Sequence, residues 1–216
     1  KEMKYFAYGS NMSLLRLRDR VPSARSQGVY LLTHHKLCFH KVSLDGSAKC
    51  DAFETQVIRD QIHGVLYHID EHEKQLLDKI EGLGLGYSDK LVELTDPSGN
   101  SVPAFMYYAT QVNTRLRPYT WYKHHVLMGA RQAQLPSAYI LDIEAVTSID
   151  DPDVDRALRE LSIYPRENNN DQIYCASTRH QCCGTEKNNN GAYKGALSQC
   201  WLFRGQHLYS KWQCDF

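Results

Sequence analysis

The sequence has no apolar run approaching the ~18 residues that a membrane-spanning helix needs. It has no excess of either charge: 25 Lys and Arg stand against 25 Asp and Glu. With no basic stripe, the composition argues against nucleic acid or an anionic membrane surface as the main partner. The opening residues, KEMKYFAYGSNM, lack the apolar stretch of a signal peptide, and Met3 is a candidate start with Lys1 and Glu2 as a prefix. The expectation is a soluble cytoplasmic protein. Regular cysteine spacing is missing too. The seven cysteines include no CxxC pair, which disfavours a disulfide framework and a structural zinc site. Histidines are plentiful but badly placed for a metal. His34 and His35 would face opposite sides of a strand, and His124 and His125 diverge on a helix, so no metal is expected.

What is there reads as one mixed domain. Lys4 to Tyr8 is a short aromatic strand ending at Gly9, and Asn11 or Ser13 can cap a helix with Leu14, Leu17 and Val21 on one face. Gly28 to Ser43 is rich in β-formers and reads as one long strand or a hairpin, and HGVLYHI (His63 to Ile69) as a further strand. DEHEKQLLDKIEG carries the clearest helix pattern, with Asp70 and Glu73 spaced as a capping box and Gly82 as the stop. Two strands, Ser88 to Leu94 and Val102 to Tyr108, flank the turn DPSGN. Helices are expected from Pro118 through Ala133, around Ser137 to Ala145, and from Pro152 to Leu161. Beyond Pro165 the apolar periodicity ends, NNN occurs twice and cysteine rises. Residues 1–165 are therefore expected to form the domain. Residues 166–216 are expected to be a disordered or appended tail, with a small accessory subdomain as the competing reading.

Three segments carry chemistry. In YFAYGSNM, a strand ending in Gly-Ser-Asn and opening a helix exposes backbone N–H groups suited to a carboxylate or an oxyanion. Alone it is weak, since many such turns hold no ligand. In DKIEGLGLGY, Glu81 falls in the last helical turn, where the carbonyl end of the dipole disfavours a negative charge. That conflict points to function and would push its pKa upward, as suits a base, although a solvated surface Glu would account for it equally well. The aromatic stretches AFMYYAT and PYTWYKHHVLMGA read as core when taken alone.

Together, in this order and spacing, YFAYGSN, EG with Gly and Tyr following, the strand tyrosine, and YK…MGA…LP resemble the γ-glutamylcyclotransferases and their AIG2-like relatives from about Met3 to Pro165. The resemblance implies an α+β fold, a small β-barrel flanked by helices with a pocket at one end. It implies Glu81 as the catalytic acid and base, a substrate cradle made by Tyr5, Phe6, Ala7, Tyr8, Gly9 and Ser10 with Asn11 supporting the turn, and Tyr107 lining the pocket, with Tyr87 and Tyr122 near it. The implied reaction closes a γ-glutamyl amide to 5-oxoproline and releases the amine. It is an acyltransferase or lyase step of glutathione metabolism that needs no cofactor. The implied partner is a small γ-glutamyl compound, with no nucleic acid and no membrane, and a homodimer is left open. Two alternatives stay open: a cyclotransferase for γ-glutamyl amines, and a non-catalytic module binding a γ-glutamyl or other amino-acid group on the same fold.

Overall fold

The structure, a computed structural model, describes residues 2–165 and, as backbone, residues 200–204 and 207–212. The chain divides into two compact units, Lys1–Pro165 and Arg166–Phe216. Of the second, Cys200–Arg204 and His207–Trp212 pair as an antiparallel hairpin. The rest of the expected tail lies outside the described residues.

The first unit is built on a closed five-stranded barrel. Its strands are β1 (Glu2–Ala7), β2 (Arg25–Thr33), β5 (Gln61–Asp70), β6 (Tyr87–Thr95) and β7 (Ser101–Ala109). They close in the order β1-β5-β2-β6-β7, with β1 returning parallel to β7 at Tyr5 and Phe105. Closure pairs each of these five strands on both sides, and Phe6, Ile62, Leu66, Leu94 and Met106, which share one face of it, are all fully buried. Five helices accompany it: α1 (Leu14–Arg20), α2 (Glu71–Glu81), α3 (Thr120–Gln132), α4 (Ser137–Ala145) and α5 (Val154–Leu161). The expected barrel with flanking helices is the fold observed. Among the described residues no helix is long and apolar enough to cross a membrane.

Three local expectations change. The β-rich run from Gly28 to Ser43 is neither one strand nor a hairpin. His34, with φ of 62°, breaks it into β2 and β3 (His35–Val42), and β3 turns away to pair with β4 (Ala48–Glu54). The sequence reading placed no element over β4, whose centre carries Asp51. Asp51 is nonetheless buried, accepting from the Ala109 N–H at 2.7 Å and paired with His40 at 2.8 Å. The capping box of α2 does not form. Ser23 supplies the cap from another part of the chain: its hydroxyl accepts the Asp70 N–H at 2.9 Å and donates to Glu73, which drops the local reciprocal pair.

Behind the barrel a buried polar cluster ties α1, α3 and the end of α5 together. Arg16 Nη1 is ion-paired with Glu160 and lies 2.9 Å from Nε2 of His125, and the same Nε2 stands 3.2 Å from Glu160 Oε2. The His125 ring is thus flanked by a cation and a carboxylate. Its Nδ1 meets Tyr164 Oη at 2.7 Å, and that hydroxyl donates to Ser13 Oγ at 3.1 Å. Burial foremost depresses the His125 pKa to about 4. Burial works the other way on Glu160, but the contacts with His125 and Arg16 overcome it and bring that carboxyl down to about 2. Both folded pKa values lie below the ordinary ones, so the unfolded chain binds more protons in acid. Stability present at neutral pH is lost first between about pH 6.5 and 4 through His125, then from about pH 4.5 towards 2 through Glu160. The His125 part is worth on the order of 3 kcal/mol. Thermal melts should therefore show the melting temperature falling by several degrees from pH 7.5 to 4, with a shallower fall in His125→Gln. Equal slopes in the two proteins would contradict this account.

Candidate active site

The turn after β1 is held by a close approach between two backbones. Ser10–Met12 form a single 3₁₀ turn whose first hydrogen bond runs from the Met12 N–H to the Gly9 carbonyl at 3.0 Å. The amides of Ser10 and Asn11 therefore have no partner within the turn. Helix α3 crosses directly over it at Gly129. A Cβ there would stand 2.5 Å from both Met12 Cβ and Ser13 N, so only glycine lets the helix seat the turn.

Glu81 occupies the last turn of α2, as the sequence predicts. Gly82 ends the helix in the left-handed region with φ of 74°, and Leu83 N–H reaches back to the Asp78 carbonyl at 2.8 Å. The charge conflict expected at this helix end is met from outside the helix. Arg20 Nη1 lies 2.9 Å from Glu81 Oε1 and supplies the opposite charge that the helix terminus withholds. Asn11 Nδ2 donates to the same oxygen at 2.9 Å and also meets Tyr5 Oη at 3.0 Å, while its Oδ1 accepts from Arg20 at 3.1 Å. Among the described residues no hydrogen bond reaches Glu81 Oε2.

Around this carboxylate lies an open cleft, about 300 Å³ when the solvent at its mouth is counted, lined by Tyr5, Tyr8, Gly9, Ser10, Asn11, Cys50, Glu81, Tyr87, Tyr107 and Tyr122. Segments far apart in the chain thus converge on one surface. Phe6 and Ala7 do not join them; both are fully buried in the barrel core. The alternation of β1 sends Tyr5 to the cleft and Phe6 inward, and Tyr8 and Gly9 follow where the strand ends.

The tyrosines differ in what their hydroxyls can still do. Tyr8 donates to the Tyr107 carbonyl at 2.6 Å, Tyr107 to Asp78 at 2.6 Å, and Tyr87 to the Cys50 carbonyl at 2.5 Å. Tyr122 Oη accepts the Cys50 N–H at 3.0 Å, so two phenols hold the peptide groups on either side of one β4 residue. Tyr5 accepts from Asn11, and among the described residues its own proton has no acceptor. Burial foremost raises the pKa of all five, which keeps them neutral phenols at physiological pH. Cys50 and Arg20 were absent from the sequence reading. Burial pushes the Cys50 thiol up to about 12, so it is a wall and no nucleophile. Arg20 stands at the end of α1, and only the position of α2 reveals its partner. Among the described residues no group of three or more His, Cys, Asp or Glu is placed to hold a metal.

A γ-glutamylcyclotransferase from Bos taurus is 30% identical over 139 residues, which cover 62% of this chain and 73% of the relative. The chain belongs to the AIG2-like γ-glutamylcyclotransferase family. The profile of the AIG2-like family matches residues 61–143. A γ-glutamylcyclotransferase from Homo sapiens is 28% identical over 146 residues, covering 66% of this chain and 77% of that one. A solved structure titled γ-glutamyl cyclotransferase superposes with a TM-score of 0.65 at 24% identity, over 74% of this chain and 99% of that one, which establishes the shared fold.

The crossing at Gly129 gives a test in which two effects oppose each other. Alanine is the better helix former by about 1 kcal/mol. A methyl group driven into backbone atoms, however, costs more than that, typically 1–3 kcal/mol and above when the neighbours cannot yield. Gly129→Ala should lower the melting temperature by about 5 °C. A rise in calorimetric melting temperature would show that the turn and helix can part at little cost.

Proposed function

We propose that residues 1–165 carry a γ-glutamylcyclotransferase activity, the cyclisation of a γ-glutamyl amide to 5-oxoproline with release of the amine, and that Glu81 is its general acid and base. The observation that carries this reading is the asymmetry of the Glu81 carboxylate. One oxygen is held by Asn11 and Arg20 at 2.9 Å each, and the other is left for a proton. A carboxylate clamped through one oxygen keeps a defined direction for the second, as a positioned proton carrier must.

The substrate's α-ammonium is protonated at neutral pH and cannot attack. Glu81 Oε2 takes one of its protons, and the freed amine adds to the δ-carbonyl carbon, forming the new C–N bond and an oxyanion. Collapse of that oxyanion breaks the old amide bond, and the leaving nitrogen takes the proton back from Glu81. The ring nitrogen, still carrying two protons after the attack, gives up one of them through the same carboxylate, so that the lactam leaves neutral and the amine as its ammonium ion. The base is regenerated and no external oxidant, metal or water is consumed. Attack within one molecule carries little entropic cost once the substrate is folded, so the cleft has chiefly to bend it. The amides of Ser10 and Asn11 and the unengaged hydroxyl of Tyr5 are the donors available for the α-carboxylate or the oxyanion. Tyr8, Tyr87, Tyr107 and Tyr122 serve as walls, their hydroxyls being engaged in the fold.

Replacing Glu81 with Gln separates chemistry from structure. Glutamine keeps an oxygen for Asn11 and Arg20 but accepts no proton. The rate of 5-oxoproline release from Glu81→Gln should fall about 10²–10⁴-fold. Its melting temperature should stay near that of the wild type, and calorimetric binding of a γ-glutamyl amino acid should persist. Near-normal turnover would remove Glu81 from the mechanism, whereas loss of folding would make it a structural residue. An N-acetylated substrate, whose nucleophile is blocked, should yield no cyclic product.

A further inference from the structure

Ser13 stands where a serine ordinarily caps a helix. It is the residue before α1, with extended φ and ψ of −68° and 114°, yet its hydroxyl takes no amide of the first helical turn. The residue is fully buried, and Tyr164 Oη, 151 positions along the chain, donates to its hydroxyl at 3.1 Å. A cap given up for a distant partner is a local conflict of the kind that marks a functional constraint.

Ser13 also closes the site turn. Its N–H donates to the Ser10 carbonyl at 3.3 Å, and the Met12 N–H donates to Gly9 at 3.0 Å. One 3₁₀ turn held by two such bonds has little stiffness of its own, so its place is set from outside. Gly129 of α3 lies against Met12 and Ser13, Tyr67 Oη donates to the Met12 carbonyl at 2.7 Å, and Tyr164 holds Ser13. The turn carries Asn11, whose side-chain amide fixes Glu81 Oε1 at 2.9 Å. Tyr164 is itself anchored. Its Oη lies 2.7 Å from His125 Nδ1, and its ring packs against those of His124 and His125 with centroids 5.3 and 5.4 Å away. His125 Nε2 in turn meets Glu160 of α5 at 3.2 Å.

We propose that Tyr164 is a positioning residue for the active site: by holding Ser13 it keeps the Ser10–Met12 turn, and with it Asn11, in place against Glu81. The segment after α5 then serves the chemistry without touching the substrate. The proposal rests on the cyclisation reading above and adds to it a residue that lies outside the cleft.

The test measures 5-oxoproline release from γ-glutamyl-alanine, together with melting temperature, for the full chain, Tyr164→Phe, Ser13→Ala and the double variant. Phenylalanine keeps the ring against His124 and His125 and removes only the hydroxyl. Ser13→Ala breaks the same bond from the other side and stands in for Tyr164→Phe if that variant does not fold. Ile62→Val, which opens a small cavity in the barrel where β5 pairs with Leu32, controls for a general loss of stability. Tyr164→Phe and Ser13→Ala should each lower kcat/KM about tenfold, mostly through kcat, because Asn11 aims the base. The double variant should lose no more than either single one, since all three delete one bond. Ile62→Val should melt earlier but keep kcat/KM within about twofold. Additive losses, full activity in both single variants, or an equal loss in Ile62→Val would overturn the proposal. If the wild type releases no 5-oxoproline from either γ-glutamyl-alanine or γ-glutamyl-ethylamide, the cyclisation reading fails, and amide hydrogen exchange decides Tyr164 separately. Faster exchange at Met12 and Ser13 in Tyr164→Phe, with β5 unchanged, supports its role; no change at the turn, or the same change in β5, overturns it.

Discussion

The side-chain amide of Asn11 bonds in three directions at once, and the cleft takes its shape from those bonds. It meets Tyr5 at the end of β1, Glu81 at the end of α2, and Arg20 at the end of α1. A strand and two helices are thereby locked to one buried group only 4% exposed. Such a group is costly to leave unsatisfied, which makes the arrangement close to all or none. Arg20 completes the triangle by bonding both Asn11 and Glu81, so the carboxylate is aimed as well as balanced in charge.

A second constraint comes from the polar pins around this triangle. The Cys50 backbone is held through its carbonyl by Tyr87 and through its N–H by Tyr122, which fastens the β3–β4 ribbon to the barrel and to α3. The Arg16–His125–Glu160 cluster and Tyr164 fasten α1, α3 and the end of α5, reaching Ser13 just after the site turn. Most of the hydroxyls in the cleft are thus spent on the fold. Among the described residues this division leaves the Glu81 Oε2 oxygen, the Tyr5 proton and the turn amides without partners.

Much of this was legible in the chain. The helix over residues 71–81, its glycine stop and the place of Glu81 in its last turn follow from local pattern. So do the strand before Gly9 and the three later helices, because capping, periodicity and proline placement act within a few residues. Legibility ended where a partner arrives from elsewhere. Ser23 displaces the expected cap of α2, and the buried Asp51 disguises β4 as surface. Phe6 and Ala7, grouped with the cradle by their neighbours, belong to the core because a strand sends successive residues to opposite sides.

By itself the amino-acid sequence determined the element order, the position of the glutamate at a helix end, and the glycines on which the turn and loop depend, since these rest on short-range sterics and hydrogen bonding. Only the tertiary structure decided which cation answers Glu81 and which tyrosine keeps a proton without an acceptor. Those outcomes depend on distances between segments up to about a hundred residues apart, such as Tyr8 and Tyr107. No local preference encodes such distances; barrel closure and helix packing set them.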